Sequence, residues 1–273
     1  MMADKVNDMD IENSDVNGID DVERLGFVSS LELPVVAPSL IPRFKTLRAT
    51  ALKTMKADGD SALVTGNSVV SFVGGLSEQL KQDVQDGVLF AQLAVDKKYP
   101  NKDTHRVERF NYYNEILSKC GWTTTGEAIH KVTGLKQAFT MDQVALEIIA
   151  SVVGPNKVIL DVLAQVLNAL KDTPKALSLF ENETKGVNSG NFQILPCIAT
   201  RDGGVLMIKT CMQFKSSSRV TRVLFWKWNH SNVDLYAAAS NSTLNQRQYA
   251  VVRQTIINKL EASGKNYIEN IEL

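Results

Sequence analysis

The feature that most constrains the fold is a change of hydrophobic period near residue 187. Upstream, ALEIIASVV runs into Gly154-Pro155, and NKVILDVLAQVLNALK follows with Ile159, Val162, Val166 and Leu170 on a face widened by Leu160, Leu163 and Leu167. Thr140 and Gln143 have the spacing of a capping box, and Phe139 that of a staple onto Val144. These signals predict a hydrophobic helical hairpin over 144–170. Downstream the apolar period becomes two, and strands are expected at 192–200, 205–214, 220–228 and 233–239, separated by RDGG, KSSSR and HSN. Helices first and an antiparallel meander later indicate an α+β or irregular α/β architecture, not a doubly wound parallel sheet.

The other elements fit around this division. A helix over 243–262, capped by Thr243 with Gln246 and burying Leu244, Val251, Val252, Ile256 and Leu260, is expected to cover the meander. Two short strands flank Gly66-Asn67 within 61–73. Helices follow over 77–97 and 103–119, the second with Val107, Phe110, Tyr113 and Leu117 in a stripe. A strand over 122–132 and a short helix over 173–183 complete the list. Residues 1–40 read as a disordered acidic tail and a proline-rich linker, because the first 23 residues hold eight acidic groups against Lys5 and ELPVVAPSLIPRF carries three prolines. The chain is neutral overall, so the remainder carries about +7. Residues 42–57 form a basic amphipathic helix in this reading, and 41–273 a single α/β domain, mainly helical over 41–186 with the meander and last helix over 187–273.

Several function classes lack their signals. Three cysteines, Cys120, Cys197 and Cys211, make no disulfide scaffold and suit synthesis in a reducing compartment. The opening MMADKVNDMD has no basic region followed by an apolar run, and no window holds about 18 uninterrupted apolar residues. His105, His130 and His230 stand apart from one another and from the cysteines, which points away from metal. There is no GxGxxG, no phosphate loop and no G-x-S-x-G elbow. Basic residues are dispersed without a DNA or RNA motif, so no nucleic-acid partner is expected. Glu147 and Asp161 lie in the apolar hairpin, either as acids whose pKa burial raises or, in the favoured reading, as residues of its solvent face.

The residue that stands out is Cys211. In GGVLMIKTCMQF one strand face reads Val205, Met207, Lys209, Cys211 and Gln213, and the other Leu206, Ile208, Thr210, Met212 and Phe214, which places the thiol on the mixed face. Lys209 on the same side would favour the nucleophilic thiolate if both are partly exposed. The following strand would supply Leu224, Trp226 and Trp228 as the wall of an apolar groove in one hairpin register, and a one-residue slip would remove it. A small buried core cysteine is the other reading.

The layout, with an acidic start, a greasy helical middle and a late strand bearing KTCMQF, resembles the Erwinia virulence factor family of insect-gut bacteria. The resemblance implies an irregular α/β fold without known enzymatic activity and a fatty acyl group, palmitate, thioester-linked to a cysteine in a hydrophobic cavity. It carries the lipid attachment onto Cys211, with Met207, Lys209, Leu224, Trp226 and Trp228 as groove candidates. It further implies synthesis in a bacterial cytoplasm without a classical signal peptide, a lipid or membrane surface as partner, and a host-cell target. Two alternatives stand beside this expectation: a membrane-inserting toxin that uses the hairpin 144–170, and an acyltransferase or thioesterase with a Cys211 acyl intermediate.

Overall fold

The computed structural model describes residues 20–35, 59–125, 129–154, 157–264 and 268–271. Among them, seven α-helices enclose one eight-stranded mixed sheet, in agreement with the expected mixture of α and β structure. In chain order the elements are α1 (Asp21–Ser30), β1 (Ser61–Thr65), β2 (Ser68–Phe72), α2 (Glu78–Lys98), α3 (Arg106–Lys119), β3 (Trp122–Thr125), β4 (His130–Lys131), β5 (Ala138–Phe139), α4 (Met141–Val153), α5 (Lys157–Lys171), α6 (Pro174–Thr184), β6 (Ser189–Ala199), β7 (Val205–Ser216), β8 (Trp228–Asn229), β9 (Val233–Leu244), α7 (Gln246–Ser263) and β10 (Ile268–Ile271). The strand order is β10-β1-β2-β6-β7-β9-β3, with β4 also paired to β9, while β5 and β8 form a separate two-stranded ladder.

The sheet is mixed because β2 runs parallel to β6, whereas its other pairings are antiparallel. Both faces are covered, and each has its own core. One core joins Leu63, Phe72, Leu195 and Met207 of the sheet to α1, α2, α3 and α7. The other joins Val64, Phe192, Ile208 and Phe214 to α4, α5 and α6. Period-two alternation along β7 decides the split, since successive side chains enter opposite layers. Helix α2 is buried on nearly every side, and its buried Asp83 is paired: Arg253 of α7 meets it at 2.7 Å through Nη2 and 2.8 Å through Nε.

Several expectations change. Residues 20–35, read as tail and linker, include α1, which packs Val28 into the first core, and its Arg24 guanidinium donates to Ser118 O at 3.1 Å and Lys119 O at 2.7 Å, closing the C-terminus of α3. The acidic residues up to 19 and the basic helix expected over 42–57 lie outside the described residues. The strand expected over 220–228 does not form. The carboxylate of Glu181 accepts the Val223 and Leu224 backbone N–H groups at 2.9 and 3.4 Å, and β9 occupies the ladder position beside β7 from Leu206 to Ser216. The last helix starts later than expected: Thr243 belongs to β9, and Asn245 caps α7 by accepting from Gln248 N at 3.1 Å. Thr140 sits at the N-cap of α4 without making a side-chain cap bond. Glu147 and Asp161 are exposed, each on the outer face of its helix. Among the described residues no helix is long and apolar enough to cross a membrane.

Candidate functional site

Cys211 lies mid-way along β7, opposite Gln193 of β6 and Ala238 of β9. Its side chain enters the face covered by α3, where it packs with Phe110 and Ala238, and Ile129 closes one side. Phe110 and Tyr113 are brought here by the helical period of α3, which buries both together with Ile116 and Leu117, while Val107 of the expected stripe is exposed.

Next to this cluster a small cleft opens between α2, α3 and the sheet, lined by Gln92, Phe110, Tyr113, Gln193 and Cys211 with Asn67 at one end. Its free volume is about 50 Å³, a third of the roughly 150 Å³ that admits a benzene ring. One wall is a neutral hydrogen-bonded chain. Tyr113 Oη donates to Gln193 Oε1 at 2.9 Å, Ser68 Oγ donates to the same oxygen at 3.0 Å, and Gln92 Nε2 donates to Ser68 Oγ at 2.6 Å. The charges at the mouth are paired: Arg109 binds Asp96 and the Tyr99 carbonyl, and Lys102 lies 3.7 Å from Glu183. The cleft is therefore electrically quiet, with a thiol and aromatic rings at one end and amides at the other.

The other predicted residues separate. Lys209 shares the face of Cys211 but is fully buried and donates to Asn114 Oδ1 at 2.7 Å. Met207 lies farther along the same face, inside the first core. Leu224 and Trp228 belong to the second core, with the sheet between them and Cys211, and the Trp228 indole donates to Val223 O at 2.9 Å. Trp226 is 48% exposed. The cleft walls come instead from α2, α3 and β6, and only the apolar stripe containing Phe110 and Tyr113 signalled them in the sequence.

The other two cysteines are sealed in the first core. Burial pushes the Cys120 thiol up to about 12, against a smaller opposing pull from Arg24, and burial raises Cys197 as well. None of the three histidines lines the cleft, and among the described residues no cluster of His, Cys, Asp and Glu has the arrangement of a metal site.

No protein-family model matches the sequence, and no curated protein matches it. Among solved structures, the chain has a distant likeness to a delta-endotoxin, at 13% identity and a TM-score of 0.39, covering 74% of this chain and 89% of that one. A second distant likeness is to the Evf virulence factor, at 14% identity and a TM-score of 0.32, covering 83% of this chain and 91% of that one. Likenesses this remote assign no family.

Proposed function

We propose that the chain is a non-enzymatic effector of the virulence or persistence type that carries a fatty acyl group, palmitate being the expected one, as a thioester on Cys211 and acts at a membrane surface. The observation that carries this reading is placement: Cys211 lines a cleft, under the aromatic cover of Phe110, whereas Cys120 and Cys197 are fully enclosed. No histidine stands in the cleft wall to serve as the base that a turnover cysteine uses. That favours an acyl group that stays over one that passes through.

An acyl chain needs more room than the closed cleft offers, so α3 must tilt from the sheet to admit it. Side-chain hydrogen bonds oppose the tilt, among them Tyr113 to Gln193, Lys209 to Asn114, and Gln213 Nε2 to the Arg106 carbonyl at 3.2 Å. Each is worth roughly 1 to 3 kcal/mol. Burying about fifteen methylene and methyl groups at roughly 0.8 kcal/mol each returns about 12 kcal/mol, which exceeds the cost of breaking those bonds.

Intact-protein mass spectrometry of the natively expressed chain tests the reading. The expected result is an adduct of about 240 Da, removed by hydroxylamine and mapped to Cys211; a bare thiol at Cys211 would overturn it. The toxin reading finds less support in the hairpin, because α4 and α5 have 13 and 15 residues, about 20 and 22 Å, against a hydrocarbon core of about 30 Å. Dye release from vesicles tests that reading.

A further inference from the structure

On the side of the sheet away from Cys211, the end of α5, the outer face of α6 and the loop 217–227 enclose an open groove of about 440 Å³. Its floor and lip are apolar, formed by Leu177, Phe225 and Trp226, and its rim is basic, formed by Lys171, Lys185 and Arg222. Lys171 Nζ stands 4.7 Å from the centre of the Phe225 ring, so cation and aromatic surface are already in register. Trp226, at 48% exposure, is the one aromatic among the large hydrophobic side chains that the described residues leave exposed.

The loop is held firmly enough to present this surface. Glu181 fixes its backbone by accepting from Val223 and Leu224, and Trp228 donates to Val223 O at 2.9 Å from beneath. The Glu181 carboxylate is turned onto those amides. Along the loop, Arg219, Arg222 and Lys227 are all exposed and no carboxylate occurs between 217 and 227. Asp172, exposed at the end of α5, is the nearest opposing charge in sequence to Lys171.

An exposed indole among cations is the combination that settles at a lipid–water boundary: the ring takes the headgroup level, and the lysine and arginine heads meet anionic phosphates. We infer that this groove and the tip Phe225–Trp226 are the surface by which the protein docks on an anionic phospholipid bilayer. The inference rests on the membrane-directed part of the proposed function, but it uses residues on the opposite face of the sheet from Cys211, so the two can fail separately.

The test uses full-length protein whose Cys211 has been freed by hydroxylamine and checked by mass, mixed with phosphatidylcholine vesicles with and without phosphatidylserine. Trp122 and Trp228 are 2% and 7% exposed, so a blue shift in emission on binding reports Trp226. The expected result is co-sedimentation and a blue shift only where phosphatidylserine is present. Arg219→Gln and Arg222→Gln should each weaken partitioning about fivefold, and Trp226→Ser should remove the shift while leaving the circular dichroism spectrum unchanged. No binding, binding equal on both kinds of vesicle, or binding indifferent to these substitutions would overturn the inference. The mass measurement on Cys211 is unaffected by any of these results.

Discussion

At the scale of single residues, access separates the three thiols. Cys120 and Cys197 are fully enclosed and held protonated by burial, while Cys211, at 4% exposure, borders the cleft. A disulfide reagent applied to native, unacylated protein at pH 8 should therefore label Cys211 first, by about tenfold over the other two, as mass-resolved kinetics would show. A second residue gives the fold a dependence on acid. Burial tends to raise the Asp103 carboxyl, but the Ser189 hydroxyl at 2.7 Å and the Val187 and Asn188 amides at 3.2 and 3.4 Å outweigh it and hold the group below the ordinary carboxylate value. Gly186 permits that approach, since a Cβ there would stand 2.6 Å from Asp103 Oδ1. Because the folded value is depressed, Asp103 stabilises above its ordinary value, and the contribution disappears as pH falls through the folded one. Urea unfolding should find Asp103→Asn less stable than the parent at pH 7, with the difference shrinking below about pH 4.

At the scale of elements, α3 covers the thiol through Phe110. Tyr113→Phe removes its bond to Gln193 of the sheet, at a cost of about 1 kcal/mol, and should speed labelling of Cys211 about fivefold with little change in overall unfolding. Unchanged labelling would show that α3 is not the gate. What the sequence discloses of these elements follows from how locally each is determined. The hairpin of α4 and α5 and the two faces of β7 were legible because period and length decide them within a dozen residues. The segment 220–228 alternates as a strand does, yet its N–H groups are taken by Glu181, 42 residues upstream for Val223, and no local pattern contains that fact. The candidate site divides along the same line. Cys211 could be singled out from its own strand, whereas its walls depend on the packing of α3 and on β6 standing beside β2.

At the scale of the whole molecule, one sheet serves two cores, and neither layer of helices can leave without exposing strands that the other still needs. Trp122 reports the layer of α1, α2, α3 and α7, and Trp228 the layer of α4, α5 and α6. In variants that keep only one of these two indoles, with Trp226→Phe in both, the urea midpoint by fluorescence should match that variant's far-ultraviolet midpoint within about 0.2 M; separated midpoints would mean that the layers melt independently. The parallel seam between β2 and β6 has a further consequence, for the time during which the chain is being made. Ser68 and its partner Gln193 are 125 residues apart, so at about 5 to 20 residues per second a ribosome takes roughly 6 to 25 s to deliver the partner strand. Through that interval β2, every residue of which is buried in the finished protein, must wait with an open apolar edge. Shielding of that edge during translation is therefore a demand the topology sets in addition to the stability of the finished fold.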